Sequence, residues 1–169
     1  HKNQWTEFIH DRFETEDGRQ GDYYFMKTPV GSVITVPLLD DGRLVLHREY
    51  RYVFDRESLE FPSGGIKVGQ TPEEAAMAEL EEETGFIAGK LEKRLEIAPV
   101  NGLFLEYLRV FFASGLTAGE AKPDEFEEFE QVLMTPDEID QAIASGEIWD
   151  GFSIIAWHLC KETVIKKLK

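Results

Sequence analysis

Three glutamates at positions 79, 82 and 83 stand at i, i+3 and i+4, the spacing that puts all three carboxylates on one face of a helix. Like charges so close repel one another, and the relief that chemistry offers is a divalent cation with a preference for hard oxygen, Mg²⁺ or Mn²⁺. On its own, a glutamate-rich stretch is most simply a solvated helix face. What favours chemistry is the segment just upstream, Pro62-Ser63-Gly64-Gly65, where the backbone can turn tightly and leave room for a ligand. The intervening residues supply a helix entry. Thr71 is placed to cap, Pro72 suits the first helical position, and Glu74 completes a capping box. Gly85 can close the helix in a left-handed conformation, which predicts a helix over 72–84, docked through Ala76 and Leu80.

These residues resemble the Nudix box, G-x5-E-x7-R-E-U-x-E-E-x-G-U, with U a bulky apolar residue. Gly64 takes the first glycine, Glu79-Leu80 takes E-U, Glu82-Glu83 the paired acids, and Gly85-Phe86 takes G-U. Two positions depart: Gln70 stands in place of Glu and Ala78 in place of Arg. Losing both together removes a charge pair without leaving either member alone, at the expense of whatever orientation that pair gives the metal-binding acids.

The flanking segments LVLHREYRY and LEFPSGG resemble the branch that cleaves ADP-ribose and other nucleoside diphosphate sugars. The resemblance implies an α/β fold, the Nudix-like α/β/α sandwich with a mixed sheet, here with N-terminal antiparallel strands. It implies that Glu79 and Glu83, helped by Glu82 and the Ser63 carbonyl, hold Mg²⁺ (or Mn²⁺), and that Gly64 and Gly65 border the substrate. Arg51 then approaches the phosphates, with Glu49 in place of the usual Gln, and Glu106 is the acid of a loop near the metals. Glu127 is the expected base that activates water, with Glu125 and Glu128 as rivals in loop register; Glu82 and Glu83 are counted with it as catalytic. The implied reaction yields a nucleoside monophosphate and a sugar phosphate, and the implied assembly is a homodimer using residues 1–30. Left open are another Nudix substrate class and a non-catalytic nucleotide-sugar sensor, the latter motivated by Gln70 and Ala78.

Composition sets the remaining bounds. At 169 residues, 42% of them hydrophobic, residues 1–169 read as a single globular domain. The formal net charge of −15 opposes nucleic acid and anionic membranes, and it makes a polyanionic substrate depend on bound cations. Cys160 is the sole cysteine, so no intrachain disulfide forms and a reducing, cytoplasmic setting is expected. No apolar run reaches membrane-spanning length.

Along the chain, the aromatics Trp5, Phe8, Phe13 and Tyr23-Tyr24-Phe25 read as core or subunit-interface residues on N-terminal strands. Residues 32–39 and 43–49 read as a hairpin turned at Asp40-Asp41-Gly42. Strands are further expected at 58–61, 91–98, 107–113 and 129–134, with a loop over 99–106. Two helices close the chain, 137–144 and 151–169, the second with Ile154, Ile155, His158, Leu159 and Val164 inward. His10 and His47 have no partner at a recognisable spacing.

Overall fold

The computed structural model describes residues 2–121 and 129–169. Its centre is the strand β3 (Ser32–Pro37), every residue of which is buried. Such a strand has no solvent face, so it must be covered on both sides. β3 pairs in parallel with β9 (Leu108–Ala118) and antiparallel with β6 (Ser63–Gly65). β7 (Phe86–Ile97) adds antiparallel to β9, giving a mixed sheet in the order β6-β3-β9-β7. A second, antiparallel sheet runs β10 (Glu130–Met134), β4 (Leu44–Arg51), β5 (Arg56–Glu60).

Alternation along β3 and β9 decides what covers which face. Val33 and Phe111 meet Ala75 and Ala76 of helix α1 (Pro72–Thr84), while Ala113 meets Leu80. Ile34, Val36, Val110 and Phe112 face the other way, into the larger core. That core includes Leu44, Leu46 and Leu59 of the second sheet, with helices α2 (Pro136–Ser145) and α3 (Gly151–Lys167). The result is the expected α/β/α sandwich around a mixed sheet.

Local signals set the helix ends. Thr71 and Thr135 each form a complete capping box with the glutamate three residues on, and Gly85 and Gly146 terminate the two helices in left-handed conformations. The N-terminal hairpin, β1 (Glu7–Glu14) with β2 (Gln20–Lys27), forms a separate sheet with the short β8 (Phe104–Leu105), which pairs parallel to β2. Phe8, Phe13, Tyr23 and Tyr24 are exposed on it.

Two expectations need correction. The turn at 40–42 exists, closed by Leu39 and Arg43, but β3 and β4 are not a hairpin: they meet only at a Leu38–Leu44 bridge and then enter different sheets. β3 is buried on both faces, so its neighbours are chosen by the core, not by chain proximity. In α3 Ile154, Leu159 and Val164 pack on the core as expected, but the other buried positions are Ser153, Ala156, Trp157 and Cys160, and His158 is exposed. Cys160 sits in the core, and burial pushes its thiol up to about 12, against an opposing influence of Arg94. Such a thiol is no nucleophile. No helix among the described residues is long and apolar enough to cross a membrane.

Candidate active site

The turn after β5 runs directly into β6, and its register on β3 sets Ser63 opposite Ile34 and Gly64 opposite Val33. That places Gly64 against α1. A Cβ built on Gly64 would fall 2.2 Å from the Glu79 carboxyl carbon, so the carboxylate occupies the space that a side chain would take. One turn further along the same helix, the Ser63 N–H donates to Glu83 Oε2 at 3.1 Å. Glycine at 64 and the Ser63 N–H directed at Glu83 are therefore what allow the strand and the acidic helix to meet. Leu80, fully buried between these two acids, anchors the helix; a side chain of that size contributes about 1.5–3 kcal/mol on burial.

The second sheet brings another group of charges to the same place. Arg51, at the end of β4, donates through Nε to Glu60 Oε1 at 2.8 Å and through Nη2 to Glu60 Oε2, with Glu49 also gripping Nη2. Burial alone would pull the Arg51 pKa down, but the bonds and charges of Glu60 and Glu49 outweigh it and raise it. Glu60 mirrors this: burial favours its neutral form, yet Arg51 holds it below its ordinary value. Asp150 differs. It caps α3 by accepting from the Ser153 N–H at 2.7 Å, but burial first, and then the charge of Glu60, raise its pKa.

Between these groups lies a cleft of about 310 Å³, lined by Ser32, Arg51, Glu60, Ser63, Gly64 and Asp150. Phe54, Trp149 and Phe152 give it an aromatic wall. Trp149 is fixed by its indole N–H on the Glu57 carbonyl at 3.1 Å, with Phe54 edge-on at 5.0 Å and the Arg56 guanidinium 3.8 Å over the ring. Aromatic faces beside carboxylates suit the apolar faces and hydroxyl edges of a sugar or base.

Residues 28–155 match the NUDIX domain family. The chain belongs to the Nudix family. It is 32% identical over 140 residues to the ADP-ribose pyrophosphatase of Bacillus subtilis (strain 168), a match covering 82% of this chain and 75% of that protein. It is 29% identical over 148 residues to the methanol dehydrogenase activator of Bacillus methanolicus, covering 86% and 80%. A crystal structure of an ADP compounds hydrolase aligns with a TM-score of 0.85 at 25% identity, covering 96% of this chain and 92% of that one. This chain is a Nudix hydrolase.

The Nudix box residues thus come together in space: Ser63, Gly64, Glu79 and Glu83 meet, and Glu82 lies half-buried on the same helix. Gly65 is exposed, beside a separate apolar hollow that it shares with Trp5, Ile66 and Glu106. Glu106 accepts from the Ser32 hydroxyl at 2.8 Å, which ties its loop to the strand lining the cleft. Gln70, in the place of the box glutamate, closes its own turn: its side-chain oxygen accepts from the Lys67 N–H at 3.1 Å. Glu125, Glu127 and Glu128 lie outside the described residues.

Nudix hydrolases generally use divalent metal ions. The donors here fit one in kind, since Glu79 and Glu83 offer hard carboxylate oxygens and the missing Cβ of Gly64 keeps the carboxylate space open. Among the described residues, no three acids, histidines or cysteines already form a ready-made cage. What sequence reasoning missed is the far side of the cleft: the carboxylates of Glu60 and Asp150 and the ring of Trp149 carry no motif, and His47 proves to lie beside Glu83.

Proposed function

We propose that the protein hydrolyses the pyrophosphate bond of a nucleoside diphosphate sugar of the ADP-ribose kind, with Mg²⁺ or Mn²⁺, to a nucleoside monophosphate and a sugar phosphate. The observation that carries this is the seating of the Glu79 carboxylate against Gly64, with Glu83 held by the Ser63 N–H, directly behind two residues that line a cleft also presenting Arg51. Relatives named for ADP-ribose and ADP compounds support the substrate class.

Glu79 and Glu83, with Glu82 and Ser63, would hold the cation. When bound, it offsets phosphate charge and makes water a better nucleophile. The cleft needs that offset, because Glu49, Glu60 and Asp150 already crowd Arg51 with negative charge. Arg51 is held in place by Glu60 on one side, and its half-exposed guanidinium is directed to a phosphate oxygen. Gly64 and Gly65 let the pyrophosphate approach the backbone. Phe54 and Trp149 receive one end of the substrate, and Glu106, held by Ser32, closes the other side of the strand. Glu127, by preference over Glu125 and Glu128, takes the proton from water as it attacks phosphorus, while the bridging oxygen leaves with its electron pair. The exposed aromatics of the β1–β2 hairpin favour a homodimer through residues 1–30, and the lone buried thiol suits the cytoplasm.

A panel of nucleoside diphosphate sugars, dinucleoside polyphosphates and nucleoside triphosphates with Mg²⁺ tests the reading. Monophosphate release fastest from ADP-ribose or a related sugar is expected. Preference for triphosphates would overturn the substrate class.

A further inference from the structure

His47 lies on β4 with 1% of its surface exposed, and neither ring nitrogen makes a hydrogen bond among the described residues. A buried imidazole in that state costs stability, and an apolar side chain like the neighbouring Val45 and Leu46 would fill the strand without that cost. Its surroundings show what the imidazole offers instead. Nδ1 stands 3.3 Å from Glu83 Oε2, the same oxygen that the Ser63 N–H holds. Nε2 stands 3.7 Å from Glu49 Oε1, the acid that grips Arg51. Phe129 packs on the ring with centroids 4.6 Å apart and fixes its plane.

The Ser63 N–H bonded to this oxygen and the imidazole edge 3.3 Å from it together limit the rotation of the carboxylate, and so the direction of its other oxygen. We infer that His47 is a positioning residue for Glu83, its ring packed against Oε2 so that the acid is presented to a divalent cation in a fixed orientation. This rests on the assignment of Glu83 to the cation proposed above. Partners that orient a ligand in this way change metal affinity by about 10- to 100-fold when removed.

The test is Mn²⁺ binding to the full chain without substrate, read from the electron paramagnetic resonance of free Mn²⁺ alongside thermal melting. Wild type is compared with His47→Leu, His47→Asn and His47→Gln. The Asn amide nitrogen falls near the Nδ1 position and the Gln nitrogen near Nε2. His47→Leu is expected to stay folded and to bind Mn²⁺ about 10-fold more weakly or worse. His47→Asn should recover most of the affinity and His47→Gln little. Equal Mn²⁺ affinity in wild type and His47→Leu would overturn the role. If the Leu variant does not fold, the Asn and Gln variants decide, and equal affinity in those two overturns it. A wild-type protein that binds no Mn²⁺ would overturn the site reading itself, and this inference with it.

Discussion

Replacing Gly64 by alanine perturbs the site by a distance that can be read from the structure. The new methyl would lie 2.2 Å from the Glu79 carboxyl carbon and 2.3 and 2.5 Å from its oxygens. Ordinary contact begins at 3.4 Å, so the carboxylate must retreat by the difference between 3.4 and 2.2 Å, about 1.2 Å. Gly64 does not have a positive φ, so its backbone accepts alanine, and what must move is the far end of a flexible side chain. Stability should therefore change by no more than about 1 kcal/mol. Activity should not escape. Displacing a catalytic group by about 1 Å can cost about 100-fold in rate, or about 2.7 kcal/mol of transition-state stabilisation. Gly102→Ala is the control, because a methyl there meets nothing within 4 Å and the backbone is unstrained. The assay is kcat/KM for ADP-ribose with Mg²⁺, with thermal melting alongside. A Gly64→Ala enzyme with wild-type kcat/KM, or equal losses in both variants, would refute the reasoning.

Other outcomes follow from the charges in the cleft. Burial and the charge of Glu60 raise the Asp150 pKa above its ordinary 3.8, so its contribution to stability is complete below that value and lost as pH rises through the folded value. Asp150→Asn, which keeps a capping oxygen, should melt above wild type at pH 7, with the gap closing near pH 3.8. Glu60 runs the other way: held below its ordinary 4.5 by Arg51 despite burial, it stabilises above that pH and ceases to as pH falls through the folded value. Glu60→Gln should cost about 1–3 kcal/mol at pH 7 by denaturant unfolding, discounted for the exposure of Arg51, and less in acid. Restoring the box charge pair with Gln70→Glu and Ala78→Arg together should raise kcat/KM beyond the product of the single effects, measured as a double-mutant cycle.

The parts of this fold visible in the sequence are those set by neighbours in the chain. Helix α1 begins and ends where Thr71, Glu74 and Gly85 dictate, because capping is a matter of a few adjacent hydrogen bonds. The glycine turn and the acidic helix face could be paired through their spacing, and the structure joins Gly64 to Glu79 and Ser63 to Glu83. The pairing of β3 could not be read in this way. Its parallel partner β9 arrives more than seventy residues later, and a turn as good as 40–42 says nothing about which sheet the next strand enters. The inward face of α3 was legible only in part: Ile154, Leu159 and Val164 pack on the core as read, but apolar residues occur around most of that helix, and Trp157, not His158, is buried. His47 and Glu83 stand 36 positions apart with no motif linking them, and only the packing of the two sheets against α1 puts them 3.3 Å from each other.

The central claim is that Glu79 and Glu83 grip a divalent cation beside the pyrophosphate. A crystal grown with Mn²⁺ and a non-hydrolysable ADP-ribose analogue, measured at the manganese absorption edge, addresses it directly. The expected map has an anomalous peak about 2.0–2.3 Å from carboxylate oxygens of both glutamates, next to the analogue's phosphates. Manganese bound elsewhere, with the space beside Glu79 and Glu83 empty, would contradict it.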